Sequence, residues 1–143
     1  MNQLLKLKFR IQHRSQKGAA IVEFAFVAMM LFMIIIAMAE FSRAWMVLGV
    51  MNGAARVGAR YAAIVPDVED NLDDVTAKVK DVLHASNIPD SDIQVSVSYD
   101  SSPVKGIPIT VNVTVLFHTS FGNLFPRLDE LPLTAACTMR REI

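Results

Sequence analysis

Residues 18–43 read GAAIVEFAFVAMMLFMIIIAMAEFSR, and this stretch decides the fold. No residue from Phe24 to Ala39 is polar, and from Ala19 onward only Glu23 interrupts the apolar run. As a helix, residues 19–39 extend about 31 Å, the thickness of a bilayer's hydrocarbon core. The alternative is a core helix of a globular domain. A chain of 143 residues has little material with which to surround such a helix on every side. The reading is therefore a transmembrane helix over residues 19–40. On its N-terminal flank, Lys6, Lys8, Arg10, Arg14 and Lys17 are basic and no residue is acidic. Beyond the span only Arg43 lies close. That asymmetry places residues 1–18 in the cytoplasm and residues 41–143 outside it. Trp45 suits the outer interface.

The same asymmetry explains the composition. Hydrophobic residues make up 52% of the chain, and the excess is concentrated in this one block. The formal net charge of zero conceals a basic head and an acidic body. Nucleic-acid binding would require basic residues clustered on the folded domain, so no nucleic-acid partner is expected. The single cysteine, Cys137, permits no disulfide within the chain, and packing must hold the domain together.

Two cleavage readings compete. An ordinary secretory signal ends in a small-x-small site, and Ala37-Met38-Ala39 has that form. The apolar region is too long for such a signal, and a long basic segment precedes it. The other reading begins from Lys17-Gly18-Ala19-Ala20-Ile21-Val22-Glu23-Phe24. A basic segment ending in Gly, followed by an apolar helix with Glu at its fifth residue, resembles the type IV prepilin site. The resemblance implies that a prepilin peptidase cuts between Gly18 and Ala19 and that the helix is kept. A carboxylate within hydrocarbon is costly and marks a functional position. The cut would create an amino terminus at Ala19, one helical turn from Glu23, for the carboxylate to pair with. That terminus would be its own or a neighbouring subunit's. The alternative is that Glu23 snorkels to the headgroups.

The helical pattern continues past Glu40 to Pro66, which predicts a helix from about Ala19 to Val65, roughly 70 Å long. Gly49, Gly53 and Gly58 weaken such a helix by about 1 kcal/mol each relative to Ala, yet let another backbone approach closely. A kink near Asn52-Gly53 is the competing expectation. Here the resemblance becomes specific. The order Gly18-Ala-Ala-x-Val-Glu23-Phe, then Glu40-Phe-Ser-Arg43, then Asn52-Gly-Ala-Ala-Arg56-Val-Gly58-Ala-Arg60-Tyr61 resembles the TadE-like family. The ending Leu131-x-Leu-x-Ala-Ala-x-x-Met139-Arg140 is similar to that family's ending. The resemblance implies a pseudopilin of the tight-adherence (Tad, or Flp-pilus) system, held in the inner membrane by a single pass. It implies several partners: the prepilin peptidase, other pilins and pseudopilins, the Tad inner-membrane assembly platform and membrane lipid. Phe24 stands where major Flp pilins usually carry Tyr. The domain is also larger than theirs, which points to an accessory subunit.

From Asp67 the pattern changes. Val68, Leu72, Val75, Val79, Val82 and Leu83 recur at helical spacing, with Glu69, Asp70, Asp73 and Asp74 in the first turns and Asn87-Ile-Pro89 at the end. The acids lack the Gly and terminal Glu of an EF-hand loop. Three alternating rows follow: Ile93 to Tyr99, Ile107 to Phe117, and Leu131 to Met139. They predict an antiparallel sheet with one buried face packed on a helix, and so an α+β, pilin-like domain. Cys137 falls on an apolar row, as a small buried hydrophobe does. The loop Asp100–Gly106 is turn-rich, and the loop Thr119–Glu130 carries Phe121, Leu124 and Phe125. These three cap the core or meet a partner. Asn112-Val-Thr114 is a formal glycosylation sequon placed mid-strand.

No pattern points to catalysis. His13, His84 and His118 form no ligand spacing with one another or with Cys137, and no phosphate loop or nucleophile elbow is present. No enzyme activity, cofactor or metal is expected. Three readings stand: a processed pseudopilin assisting Tad-pilus assembly and adherence, a secreted periplasmic binding domain released after Ala39, and an anchored protein that is never cut.

Overall fold

A computed structural model describes residues 2–99, 105–120 and 130–142, with side chains from Gly18 onward. The element order is α1 (Asn2–Ile64), α2 (Leu72–His84), a 3-10 turn (Asp90–Asp92), β1 (Ile93–Ser98), β2 (Pro108–His118) and β3 (Glu130–Arg140). The chain divides into two compact units, Met1–Phe41 and Ser42–Ile143. The architecture is α+β, as the periodicities predict.

The first unit is helical. Contrary to expectation, α1 does not begin at Ala19 but at Asn2. Residues 2–17 contain neither Pro nor Gly and are rich in Leu, Lys, Gln and Arg, which propagate a helix readily. The apolar stretch has no cover. Among the large side chains from Ile21 to Met38, exposure runs from 39% at Ile36 to 73% at Phe24. A helix that is apolar all round and unburied is not a globular core helix. Within Gly18–Ile64 the protein has one helix long and apolar enough to cross a membrane, as a single-pass anchor requires.

In the second unit α1 changes character. Met51, Ala54, Ala55, Ala59 and Ala62 are fully buried, spaced three and four apart along one stripe. The helix is unbroken at Asn52-Gly53, where the Asn52 amide donates to the Leu48 carbonyl at 2.8 Å. Alanines on the inner stripe keep α1 thin, so it packs closely on its neighbours.

The sheet has the order β1-β2-β3, antiparallel throughout. Val113 faces Val95 on one side and Ala135 on the other. The inward row of β2, Ile109, Val111, Val113, Val115 and Phe117, is buried, and so forms the sheet side of the core. The outward row is polar, with Thr110 and Thr138 hydroxyls 2.8 Å apart across the β2–β3 pair. Such cross-strand pairs stabilise a sheet by tenths of a kcal/mol, up to about 1. Two expectations need correction. The inward row of β3 is only partly covered: Ala135 is buried, Leu133, Cys137 and Met139 are half-buried, and Leu131 is exposed. Cys137 is therefore not a fully buried hydrophobe. It lies opposite Val111 on an edge strand, where neighbours cover one side. The second helix also starts later than Val68. Asp67 intercepts the chain: its carboxylate accepts from the Glu69 amide at 3.0 Å, and its carbonyl accepts from the Asn71 side chain at 2.6 Å. Asp favours such local turns over helix. Val68 remains buried in the core cluster without being helical. The expected stop is present, with Asn87 in the left-handed region at φ 64°. Phe121, Leu124 and Phe125 lie outside the described residues, as do residues 100–104.

Candidate functional site

The candidate processing, charge-pairing and family-motif residues read from the sequence all lie on α1, at positions that differ in kind. Gly18, Ala19 and Glu23 are exposed on the first unit, within the helix rather than ahead of it. A Cβ at Gly18 would meet nothing within 4 Å, so this glycine has no packing role among the described residues. Glu23 is one turn beyond Ala19 on the same apolar helix. Glu40, in the same unit, is half-buried.

Arg43, Arg56, Gly58, Arg60 and Tyr61 belong to the second unit. Arg43 is anchored twice to the end of β2. Its guanidinium donates to the Ser120 hydroxyl at 2.9 Å and sits 5.2 Å over the Phe117 ring centroid. Cation–π contacts of this kind contribute about 0.5–1 kcal/mol at exposed sites. Around them lies a groove of about 220 Å³ whose lining includes Met46, Ile88, Pro89, Asp92 and His118. Gly58 is the point of closest approach. A Cβ built there would lie 2.5 Å from Val79 Cγ2, 3.4 Å from Val111 Cγ1 and 3.8 Å from Val75 Cγ1, so α1, α2 and β2 converge on it. Tyr61 is half-buried and packs on the core. Arg56 and Arg60 point outward and are exposed.

The 3-10 turn is tied to α2 and to the end of β2. His84 Nε2 lies 2.8 Å and Lys80 Nζ 3.4 Å from Asp90 Oδ1, while His118 Nε2 lies 3.3 Å from Asp92 Oδ2. The hydrogen bond from His84, with smaller help from the His84 and Lys80 charges, holds the Asp90 carboxyl below its ordinary value despite some desolvation. Tyr99 moves the other way. Its hydroxyl is raised first by desolvation and then by the Glu69 and Asp67 carboxylates.

One important residue escaped the sequence reading. Arg141, only 9% exposed, donates from its guanidinium to the Pro66 carbonyl. Its Nε is buried without a partner among the described residues. The Arg141 amide donates to the Ile107 carbonyl at 2.9 Å, and the Glu142 amide donates to the Ala63 carbonyl at 3.0 Å. The end of β3 thus closes the C-terminal end of α1, satisfying carbonyls the helix leaves open and placing a cation where the helix dipole favours one. A signal was available: the inward residues of β3 are odd-numbered, and Arg141 continues that alternation.

Among the described residues, no group of His, Cys, Asp and Glu side chains is placed to hold a metal ion. Residues 18–60 match the model of a protein family described as TadE-like protein. No curated protein and no solved structure matches the chain.

Proposed function

Over residues 18–60 the chain is TadE-like, and on that premise we propose that it is an accessory pseudopilin of a Tad-type pilus. In this reading a prepilin peptidase removes residues 1–18 on the cytoplasmic side. Ala19 becomes the mature N-terminus, and the helix stays in the inner membrane. The α+β unit then works outside the cytoplasm, in contact with other pilins and the assembly platform. The role is structural, with no catalytic step.

The observation that carries this reading is the arrangement on α1. A candidate cut after an unpacked glycine, a carboxylate one turn beyond it, and an uncovered apolar span follow one another on a single helix. The burial cost of Glu23 in hydrocarbon is offset if it meets an ammonium group, and cutting after Gly18 supplies one within reach. The test is the intact mass of the protein from its native host. A mature N-terminus at Ala19 is expected, and Gly18→Leu should abolish the cut while membrane insertion persists. A mature terminus at Glu40, or an uncut Met1, would overturn the proposal in favour of a released or a permanently anchored protein.

A further inference from the structure

Around Gly53, Arg56, Val57 and Arg60 the outward face of α1 in the second unit is exposed among the described residues. Gly49 and Gly53 lie on it, and an added Cβ at either would meet nothing within 4 Å. Val57 is 44% exposed on the same face. Arg56 and Arg60, one turn apart and therefore about 5–6 Å from each other at Cβ, make no hydrogen bond or ion pair among the described residues. The domain also carries the complementary charge. Glu69, Asp70, Asp73 and Asp74 are all exposed, and their carboxylates have no hydrogen bond or ion pair among the described residues.

One chain is not built to join these two sets. Gly58 faces Val75 and Val79, and at 100° per residue Arg56 and Arg60 fall on the opposite side of α1. On α2, Val75 and Val79 are the buried side, and Asp73 and Asp74 fall on the outward side. We propose that the Arg56–Arg60 face of α1 docks on the Asp70–Asp74 turn of a second copy of this chain. The glycines let the partner's helix end approach the α1 backbone, and the two guanidinium groups take the carboxylates in charge-assisted pairs. The surfaces differ from each other, so the contact is head-to-tail. Each docked pair leaves one unused surface of each kind, so further copies add until the array closes into a ring or extends as an open chain. The inference concerns the second unit alone and does not depend on the cut at Gly18.

The test uses the full chain in its native membrane with Cys137→Ala, so that introduced thiols are the only ones. One tagged copy carries Val57→Cys, and a differently tagged copy carries Ala77→Cys, one turn beyond the acidic residues. Mild oxidation should join the two tags at least about fivefold more than it joins like tags. Arg56→Glu with Arg60→Glu in the first copy should reduce that product about tenfold. Adding Asp73→Lys and Asp74→Lys to the second copy should restore it, which a misfolded variant would not allow. Absence of the mixed product overturns the proposal. So does a dominant Val57→Cys self-product, which would mean α1 against α1, or a yield indifferent to charge reversal. The mature mass, read from the same sample, separates failure of this contact from failure of the processing proposal.

Discussion

Gly58→Ala should destabilise the second unit, whereas the same change at Gly49 or Gly53 should stabilise it. In the interior of an exposed helix, Gly→Ala gains about 0.5–1 kcal/mol. Gly49 and Gly53 have open space around the new methyl, so that gain is realised. At Gly58 the methyl would sit 2.5 Å from Val79 Cγ2, and Val79, Val75 and Val111 are all fully buried. Valine's stiff χ1 gives it no easy retreat. Overpacking a well-filled core costs about 1–3 kcal/mol, so the net effect is a loss of about 0.5–2 kcal/mol after the helix gain. Cys137 provides the assay, since it is the only thiol and is half-buried on the core side of β3. Its labelling rate against urea, in detergent-solubilised full chain, gives an unfolding midpoint. With m near 1 kcal/mol per molar, the Gly58→Ala midpoint should fall by about 0.5–2 M. In a Val79→Ala background, itself less stable for the lost burial, Gly58→Ala should cost less than in the wild type, because the clashing methyl is gone. A Gly58→Ala midpoint at or above wild type would refute the three-way convergence of α1, α2 and β2.

Arg141→Met should lower the same midpoint by a comparable amount. The loss of a hydrogen bond from a charged donor to the Pro66 carbonyl is worth about 1.5–3 kcal/mol. An unchanged midpoint would show that the end of β3 does not clamp α1. Asp90 is held below the ordinary carboxylate value, so its contribution is present above the unfolded value and disappears as pH falls through the folded one. Asp90→Asn should therefore flatten the acid side of the stability profile, read from urea midpoints by near-ultraviolet circular dichroism between about pH 5 and pH 2. A profile identical to wild type would remove the His84–Asp90 pair from the account. Glu23→Gln should insert and be cut normally but fail to co-purify with pilus-assembly partners. Wild-type piliation in that variant would leave the carboxylate without a pairing role.

Much of this fold was legible because it follows two periods. The inward rows Ile109 to Phe117 and Ile93 to Val97 are alternations of period 2. The inner stripe of α1 is Ala and Gly at three- and four-residue spacing. The same spacing already separates the glycines: Gly58 falls in line with Ala54, Ala55 and Ala62, while Gly49 and Gly53 fall in line with Arg56 and Arg60. What the sequence could not show is which partner a stripe meets, so the convergence of Val75, Val79 and Val111 on Gly58 needed coordinates. The late start of α2 was obscured because Val68 keeps helical phase while Asp67 holds the chain in turns. Arg141 was hidden by its chemistry, since an inward arginine is expected only where a carbonyl waits for it, and Pro66 is 75 residues away. The candidate processing residues are the opposite case. Gly18 and Ala19 are singled out only by resemblance, and Glu23 also by the cost of a carboxylate in an apolar run, because all three are exposed among the described residues and no packing there would require them.

That contrast bears on how assembly defects should be read. Among the described residues no buried side chain precedes Met51. The core of the second unit closes on itself through Arg141 and Glu142 at the end of α1, and with one cysteine it uses no internal disulfide. Gly18 and Glu23 are exposed and belong to the first unit, so substitutions there should leave the Cys137 labelling midpoint at the wild-type value. Arg56 and Arg60, exposed and unpaired among the described residues, should behave the same way. A variant at any of these four positions that blocks assembly with an unchanged midpoint has lost an encounter with another molecule. A variant at Gly58 or Arg141 that blocks assembly with a lowered midpoint has lost stability in the domain itself. The midpoint thus separates the two classes before any pilus is counted.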